Sequence, residues 1–375
     1  MKIALVLHDF DPRLGQGCYA VEVARRLEGR HEIHIVANTF GGLAEEGLRF
    51  RKISAWRGNT LLRILTFLRG AERLLDGERF DLIHAQGLSS WRADVITAHI
   101  CHAARIEQAP APDWKNRTFQ GLIEPWERRF FQQKRARHLI AVSGRIAKEI
   151  GTHYQWSKPS TVIYHGIDTE KFRPPADVAE RARARARYQL AEGGWVWLFV
   201  GEAVKGLREA IAELPGFPQA RLLVISRSLM APYQAQAQAL GVTERIRFHG
   251  PEMEMPWAYR AADVLVYPST YDAFAMVVAE AMATGLPVIA GKNIGAAEWI
   301  EPGRNGELCD PEQPGSLAEC LRSIAADGAR AAALGAAARE TARKHGWDAC
   351  ADATEKAYGK CGTGSAERGR AEVGK

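Results

Sequence analysis

Two carboxylates and a loop that could bind phosphate lie close together between residues 264 and 290. Asp272 follows a short apolar run that ends at a proline, and Glu280 stands eight residues further on, inside an apolar helix expected over 274–284. The loop before this helix leaves backbone N–H groups at a helix N-terminus, where a phosphate is favoured. Taken alone, the two carboxylates also suggest a general acid and base.

The chain has 375 residues, which exceeds one typical core, so two domains are expected. No apolar run approaches the roughly 20 residues of a membrane span, and residues 1–10 resemble a first buried strand instead of a secretory signal. The six cysteines are scattered without a C-x-x-C pair. This spacing favours a reducing cytoplasm and argues against a disulfide framework or a zinc site.

The net charge of +6 and the isoelectric point near 9.0 fit an anionic partner, although they also fit simple solubility. A nucleotide, an anionic lipid or a nucleic acid would satisfy the charge. No pattern of a nucleic-acid-binding module occurs, so no nucleic-acid partner is expected.

The chain opens with a strand, a loop, a helix and a second strand, which is a Rossmann-like start. Gly15 and Gly17 in this loop could cradle a phosphate, could admit a substrate to the backbone, or could simply form a tight turn. His99 ends a strand expected over 95–99, and ligands bind at strand carboxyl ends in open α/β sheets. A structural histidine is the alternative.

A second strand and helix series begins at residue 195, so the chain is expected to hold two doubly wound α/β domains facing a cleft. The first covers 1–168 and the second 169–345, with a polar, proline-ended linker near 168–175. A helix at about 346–360 is expected to pack back on the first domain. Residues 362–375 are small and polar and are expected to be disordered.

Residues 114–137 mix aromatic and basic side chains, which is typical of a helix that lies on an anionic membrane. An ordinary long helix with its aromatics in the core is the alternative. The candidate contacts for the membrane or the acceptor are Trp114, Lys115, Arg117, Trp126, Arg128 and Arg129.

These features resemble a retaining glycosyltransferase of the GT-B fold, in the large family 4, over almost the whole chain to about Tyr358. The strongest motif is a pair of acidic residues separated by seven others. Both acids are usually glutamate in the family, and they are Asp272 and Glu280 in this chain. The segments PVIA, GAAEWI, PGRNGELCDP and HGIDTEKF and the pair Gly346–Trp347 fit as well.

The resemblance implies transfer of a sugar from a nucleotide-diphosphate donor, UDP-sugar favoured, with retention and without a metal or cofactor. Glu280 would hold the ribose hydroxyls, Asp272 would lie near the donor sugar, and Lys205 would neutralise the departing diphosphate. His99 aligns with a position near the sugar and acceptor. Backbone N–H groups would meet the diphosphate at Phe274, Ala275 and Met276.

The family usually has an arginine after the strand glycine, which is Gly201 in this chain. Glu202 stands there instead, and Arg208 or Arg227 would have to supply the charge. The usual Gly-Gly of the first loop is interrupted in this chain as Gly15-Gln16-Gly17. A carboxylate at Glu202 beside a diphosphate would be unfavourable.

Length and the basic segment look most like the lipopolysaccharide-core glucosyltransferases. The acceptor is then a saccharide or lipid-linked saccharide of an envelope glycan, and the protein is cytoplasmic and peripheral on the inner face of the membrane. The alternatives are a sugar-nucleotide epimerase or hydrolase of the same fold and a non-catalytic relative that binds sugar nucleotides or membranes. A dehydrogenase is disfavoured because the first turn lacks a compact G-x-G-x-x-G.

Overall fold

A computed structural model of the protein describes residues 1–41, 47–56, 58–108, 114–191 and 193–361, with the backbone alone for 114–120. The chain forms two compact units. One comprises Met1–Gly166 with Trp347–Lys375, and the other is Ile167–Gly346. The predicted boundaries, at 168 and 345, lie within two residues of these. The predicted tail, 362–375, lies outside the described residues.

The first unit is built on seven parallel strands with helices between them. The strands are β1 Lys2–Val6, β2 Glu32–Ala37, β3 Arg49–Lys52, β4 Leu82–Gln86, β5 Val95–Ala98, β6 His138–Ala141 and β7 Ser160–Val162. The helices are α1 Gly15–Leu27, α2 Thr60–Gly77, α3 His102–Gln108, α4 Trp114–Phe131, α5 Gly144–Tyr154 and, after the second unit, α13 Trp347–Gly359. Most strand residues are buried, as parallel sheets covered on both faces require.

The second unit has a six-stranded parallel sheet. Its strands are β8 Trp195–Val200, β9 Ala220–Ile225, β10 Ile246–His249, β11 Val264–Tyr267, β12 Val288–Gly291 and β13 Glu307–Cys309. Its helices are α6 Val178–Arg187, α7 Leu207–Glu213, α8 Ala231–Ala239, α9 Pro256–Ala261, α10 Met276–Ala283, α11 Ser316–Ala325 and α12 Gly328–Arg343. Two α/β units with parallel sheets confirm the predicted fold class.

Both sheets reverse their strand order at one point, which fixes where a ligand can bind. The orders are β3-β2-β1-β4-β5-β6-β7 and β10-β9-β8-β11-β12-β13. The reversal falls between β1 and β4 in the first sheet and between β8 and β11 in the second. Loops leaving the carboxyl ends of these strand pairs diverge to opposite faces and leave a crevice.

Several elements differ from the sequence expectations. The helix expected over 202–214 is broken at Gly206, whose φ of +107° suits glycine alone. The helix expected over 317–344 is two helices, because Asp327 caps the second through the N–H groups of Ala329 and Arg330. The edge strands β3 and β13 were not expected, since they have four and three residues and little apolar alternation.

The last helix packs against α1 within the first unit, as the sequence led us to expect. The Tyr19 hydroxyl lies 3.3 Å from Thr354 Oγ1, and Arg26 Nε lies 2.5 Å from Asp348 Oδ1. Near the start of α5, Ser143 accepts from the Ile146 N–H at 3.2 Å, which is the predicted cap. Within the described part of the chain, no helix is both long and apolar enough to span a bilayer.

Candidate functional site

Lys205 and Asp272 meet at the carboxyl edge of the second sheet. Lys205 ends a 3-10 turn, Ala203–Lys205, directly after β8, and Asp272 lies in the loop after β11. The Lys205 Nζ atom is 2.5 Å from Asp272 Oδ2, and both side chains are partly buried. The fold therefore joins two residues that are 67 positions apart at the point where the strand order reverses.

Four donors surround the Asp272 carboxylate. Besides Lys205, Oδ2 accepts from the Tyr267 hydroxyl at 2.8 Å, while Oδ1 accepts from the N–H groups of Phe274 and Ala275 at 3.2 and 3.0 Å. A carboxylate has about four acceptor sites, so this set uses all of them. Burial would raise the pKa of Asp272, but Lys205 and the hydrogen bonds outweigh it and hold the pKa below its ordinary value.

This geometry corrects the predicted phosphate donors. The N–H groups of Phe274 and Ala275 point at Asp272 in the same unit, and the helix α10 begins at Met276 instead of residue 274. Ala275 has a φ of +73°, which is uncommon for a residue other than glycine. Strain of this kind clusters at ligand-binding turns.

Glu280 lies on α10 and accepts a hydrogen bond from Tyr259. The Tyr259 hydroxyl is 2.5 Å from Glu280 Oε2, and Tyr259 itself is fully buried on α9. Burial raises the pKa of Glu280 to about 7, although Tyr259 and the charge of Lys171 oppose the rise. A carboxyl poised near neutrality on the helix that follows the loop is typical of a functional group.

The other predicted donor-site residues of this unit have separate positions. Gly201 directly follows β8 and has a φ of +124°, a conformation that favours glycine. Glu202 is exposed on the following turn. The expectation for Arg208 requires correction, because its guanidinium lies over the Tyr233 ring on α8, 5.9 Å from the ring centre. This cation–π contact gives the guanidinium a partner on α8.

Gly15 and Gly17 form the first turn of α1 in the first unit. A Cβ at Gly17 would lie 2.2 Å from the Asp11 carbonyl oxygen, whereas one at Gly15 would meet nothing within 4 Å. Close packing of the backbone therefore explains Gly17, which favours the tight-turn interpretation over the phosphate cradle. In this unit the neighbouring Gln16 donates from Nε2 to the Gln86 carbonyl at 2.7 Å.

His99 follows β5 at the carboxyl edge of the first sheet, as predicted. Its Nε2 atom is 2.7 Å from Gln86 Oε1, and its ring packs edge-on against Tyr19. Burial first, and then the nearby rings of His165 and His84, hold the pKa of His99 well below its usual range. This environment therefore favours the neutral form of the His99 ring.

The basic and aromatic helix divides between core and surface. Phe130 and Phe131 are buried, as in the alternative of an ordinary helix. Arg128 pairs with Glu124 at 2.6 Å, so its charge is largely compensated. Trp126 is 38% exposed, and the Arg129 guanidinium lies over Trp91. The side chains of three predicted contacts lie outside the described residues: Trp114, Lys115 and Arg117.

Sequence reasoning missed the tyrosines that hold the two carboxylates. Tyr267 is the last residue of β11, and an aromatic hydroxyl at a strand carboxyl end was the available signal. Tyr259 gives no such signal, because its contact with Glu280 depends on how α9 packs beside α10. Among the described residues, no group of three or more histidine, cysteine, aspartate or glutamate side chains is placed to hold a metal ion.

Comparison with known proteins is consistent with this architecture. Residues 15–171 match the model for Glycosyltransferase Family 4, and residues 180–341 match that for Glycosyl transferases group 1. The D-inositol 3-phosphate glycosyltransferase of Streptomyces avermitilis is 29% identical over 87% of this chain and 73% of its own length. That of Corynebacterium jeikeium is 29% identical over 90% and 83%.

Solved structures show the same fold. WaaG, a glycosyltransferase involved in lipopolysaccharide biosynthesis, aligns with a TM-score of 0.80 at 20% identity, covering 94% of this chain and 98% of its own. Sucrose-phosphate synthase from Thermosynechococcus elongatus aligns with a TM-score of 0.82 at 22% identity, covering 96% and 98%. The chain therefore belongs to the glycosyltransferases, with a family 4 domain and a group 1 domain of the GT-B fold.

Proposed function

We propose that this glycosyltransferase moves a sugar, with retention and without a metal, from a nucleotide-diphosphate sugar to a saccharide or lipid-linked saccharide. The second unit binds the donor and the first unit binds the acceptor. The observation that carries the proposal is the Lys205–Asp272 pair beside the N-terminus of α10. A cation and a helix N-terminus at the strand-order reversal form a site suited to a diphosphate.

Lys205 supplies the positive charge for the departing diphosphate. Positive charge aimed at a leaving group stabilises the transition state, and removing one such contact costs about 3 kcal/mol. The charge on Lys205 is already shared with Asp272 at 2.5 Å, so a diphosphate has to compete with that carboxylate. Arg208 is not assigned to this task, because it stacks on Tyr233.

Glu280 binds the ribose of the nucleotide. Tyr259 uses one of its acceptor sites, and the remaining ones suit the two hydroxyls of a vicinal diol. Asp272 has no acceptor site left while its four donors are bound. We therefore assign it first to holding Lys205 and the loop before α10, with contact to the sugar only after one donor is released.

UDP-sugar is the favoured donor, because HepE of Anabaena, which shares the fold, has been crystallised with UDP, with UDP and glucose and with UDP-glucose. A role in lipopolysaccharide-core or another envelope glycan follows from the likeness to WaaG. We place the protein in the cytoplasm, peripheral on the inner face of an anionic membrane, with the exposed Trp126 of α4 as its contact.

A phosphorylated polyol is the second candidate acceptor. Several curated relatives that align over most of this chain are D-inositol 3-phosphate glycosyltransferases. An assay with D-inositol 3-phosphate and with a lipid-linked core saccharide, at equal UDP-sugar concentration, separates the two. Transfer to the inositol phosphate alone would reject the envelope-glycan role.

The experiment that tests the reaction compares donor turnover with and without acceptor. After a thermal-shift screen finds a stabilising sugar nucleotide, the protein is incubated with it in the presence of EDTA. We expect sugar transfer to require the acceptor, and NMR of the product should show the same anomeric configuration as the donor. Full turnover without acceptor would instead indicate a hydrolase or epimerase, and binding without any turnover would indicate the non-catalytic relative.

The Lys205 assignment is tested by Lys205→Ala, with Lys292→Ala as the matched control. Lys292 also pairs with an aspartate, Asp310, at 2.5 Å in the same unit, but it is half-exposed. We expect about a 100-fold loss of kcat for Lys205→Ala and little change for the control. An unchanged kcat in both would remove Lys205 from the mechanism.

A further inference from the structure

A buried chain of hydrogen bonds runs behind His99 in the first unit. His99 Nε2 is 2.7 Å from Gln86 Oε1, and Gln86 Nε2 is 3.1 Å from His84 Nε2. His84 Nδ1 is 2.7 Å from the hydroxyl of Tyr358 on the terminal helix α13. Gln86, His84 and Tyr358 are each at most 1% exposed, so solvent does not compete for these contacts.

The sheet register explains why these side chains meet. Gln86 on β4 pairs with Thr97 on β5, and His84 pairs with Val95. Side chains alternate along a strand, so His84, Gln86, Thr97 and the following His99 lie on the same face of the sheet. The main chain of Gln86 is also fixed, because its carbonyl accepts from Gln16 Nε2.

The polarity of the chain follows from the amide of Gln86. The amide is placed with Oε1 toward His99 and Nε2 toward His84. An amide oxygen only accepts and an amide nitrogen only donates, so in this orientation His99 Nε2 carries a proton and His84 Nε2 carries none. The neutral His84 therefore donates from Nδ1 to Tyr358, while the Thr97 hydroxyl donates to His84 Nε2 at 2.7 Å. Burial supports neutral rings, since the pKa of His84 falls to about 3.

We propose that Gln86 is a positioning residue that holds His99 as the Nε2–H tautomer, and that Tyr358 fixes Gln86 through His84. The inference rests on the proposed role of His99 beside the sugar and acceptor. In this tautomer Nδ1 is the ring atom that can accept a hydrogen bond from a substrate hydroxyl. The terminal helix thus contributes to the site without contacting the substrate.

The tautomer is measured directly by long-range ¹H–¹⁵N NMR of the full chain at neutral pH. His99 signals are assigned by their absence in His99→Asn. The wild type should show His99 as Nε2–H and His84 as Nδ1–H, and Gln86→Leu should give His99 a mixture. A His99 that is Nδ1–H in the wild type, or unchanged in Gln86→Leu, would overturn the proposal.

Kinetics provide the second readout, and Tyr358→Phe guards against a variant that fails to fold. This change removes one oxygen atom, so the thermal unfolding transition should be preserved while His84 loses the partner of its Nδ1 atom and can change tautomer. We expect kcat to fall about tenfold for Gln86→Leu and less for Tyr358→Phe, with an unchanged KM for the donor. Equal kcat in all three proteins would contradict positioning. Undiminished transfer by His99→Asn would reject the role of His99 while leaving the tautomer result valid.

Discussion

We propose Lys205 as the positive charge of the donor site, and the residue that it pairs with is Asp272. The carboxylate is one methylene shorter than the glutamate usual in the family, yet it reaches Lys205, Tyr267 and two backbone N–H groups at once. A short acid close to the backbone can cap the loop as well as bind the lysine. If a nucleotide binds as we propose, its free energy of binding includes the cost of separating this ion pair.

Asp272→Asn should strengthen binding of UDP and of inorganic pyrophosphate by about tenfold. The amide oxygen can still accept from the loop, but the negative charge beside the phosphates is gone. Isothermal calorimetry measures the affinity, and Asp310→Asn, which removes the partner of Lys292, is the control. Weaker binding of UDP to Asp272→Asn would indicate that the carboxylate orders the site more than it competes.

Glu280 should make nucleotide binding depend on pH near neutrality. Its pKa is about 7, so below that pH the carboxyl is protonated and offers fewer acceptor sites to the ribose. UDP affinity should fall as pH drops from about 8 to 6 in the wild type and fall less in Glu280→Gln, which cannot titrate. Parallel pH profiles for both proteins would exclude Glu280 as the titrating group.

The raised pKa of Glu280 also determines the direction in which the stability of the folded state changes with pH. The folded pKa lies above the ordinary value of 4.5, so the folded state binds more protons between these values. Stability from this group is present below pH 4.5 and is lost as pH rises through 7, by up to about 3 kcal/mol. Chemical denaturation of wild type and Glu280→Gln across that range measures the difference, and identical slopes would contradict it.

At the scale of elements, the turn between β8 and α7 sets the position of Lys205. Gly206 ends this turn in a left-handed conformation, and a Cβ there would lie 2.7 Å from Pro268 Cγ. Pro268 immediately follows β11, so the turn packs directly on the loop that carries Asp272. A single small residue therefore keeps the two loops in contact.

Gly206→Ala should lower the free energy of unfolding by at least about 1 kcal/mol and reduce kcat, because the loops must separate. Gly241→Ala is the control: its φ of +66° is also positive, but nothing lies within 4 Å of the added Cβ. Chemical denaturation and donor kinetics follow both variants. If Gly241→Ala lost kcat equally, strain elsewhere in the unit would explain the effect.

At the scale of the whole molecule, the net charge of +6 and the exposed Trp126 bear on membrane attachment. The described part of α4 offers a membrane fewer exposed aromatic rings and fewer unpaired basic side chains than the sequence suggested. Phe130 and Phe131 are buried, and Arg128 is paired with Glu124. Binding to anionic lipid should then be weak and sensitive to salt.

Sedimentation with vesicles tests this attachment. We expect the protein to bind vesicles with anionic lipid and not neutral ones, and Trp126→Ala should weaken binding several-fold. Trp56, which is 59% exposed elsewhere in the first unit, provides the control as Trp56→Ala. Equal binding to neutral and anionic vesicles would remove the electrostatic basis, and an equal effect of both substitutions would argue against α4 as the contact.

The sequence alone determined most of the order of strands and helices and the division into two α/β domains. Long apolar runs such as 195–200 and 264–267 are buried strands whatever surrounds them, because burial of their side chains is favourable in any packed sheet. Short edge strands such as β3 escaped notice, since four residues with one large apolar side chain give no period. The spacing of Asp272 and Glu280 could also be recognised in the sequence, because the two residues lie close together along the chain, in the loop before α10 and on α10 itself.

Only the tertiary structure decided what these residues contact. Lys205 and Asp272 are 67 residues apart, and His84 and Tyr358 are 274 apart, so no local spacing predicts either pair. Sheet register and helix packing bring them together. Lys205, the one distant donor, completes the set around the Asp272 carboxylate, and burial in the folded unit raises the pKa of Glu280. The tautomer that we propose for His99 depends on Gln86, which the sheet register brings beside it.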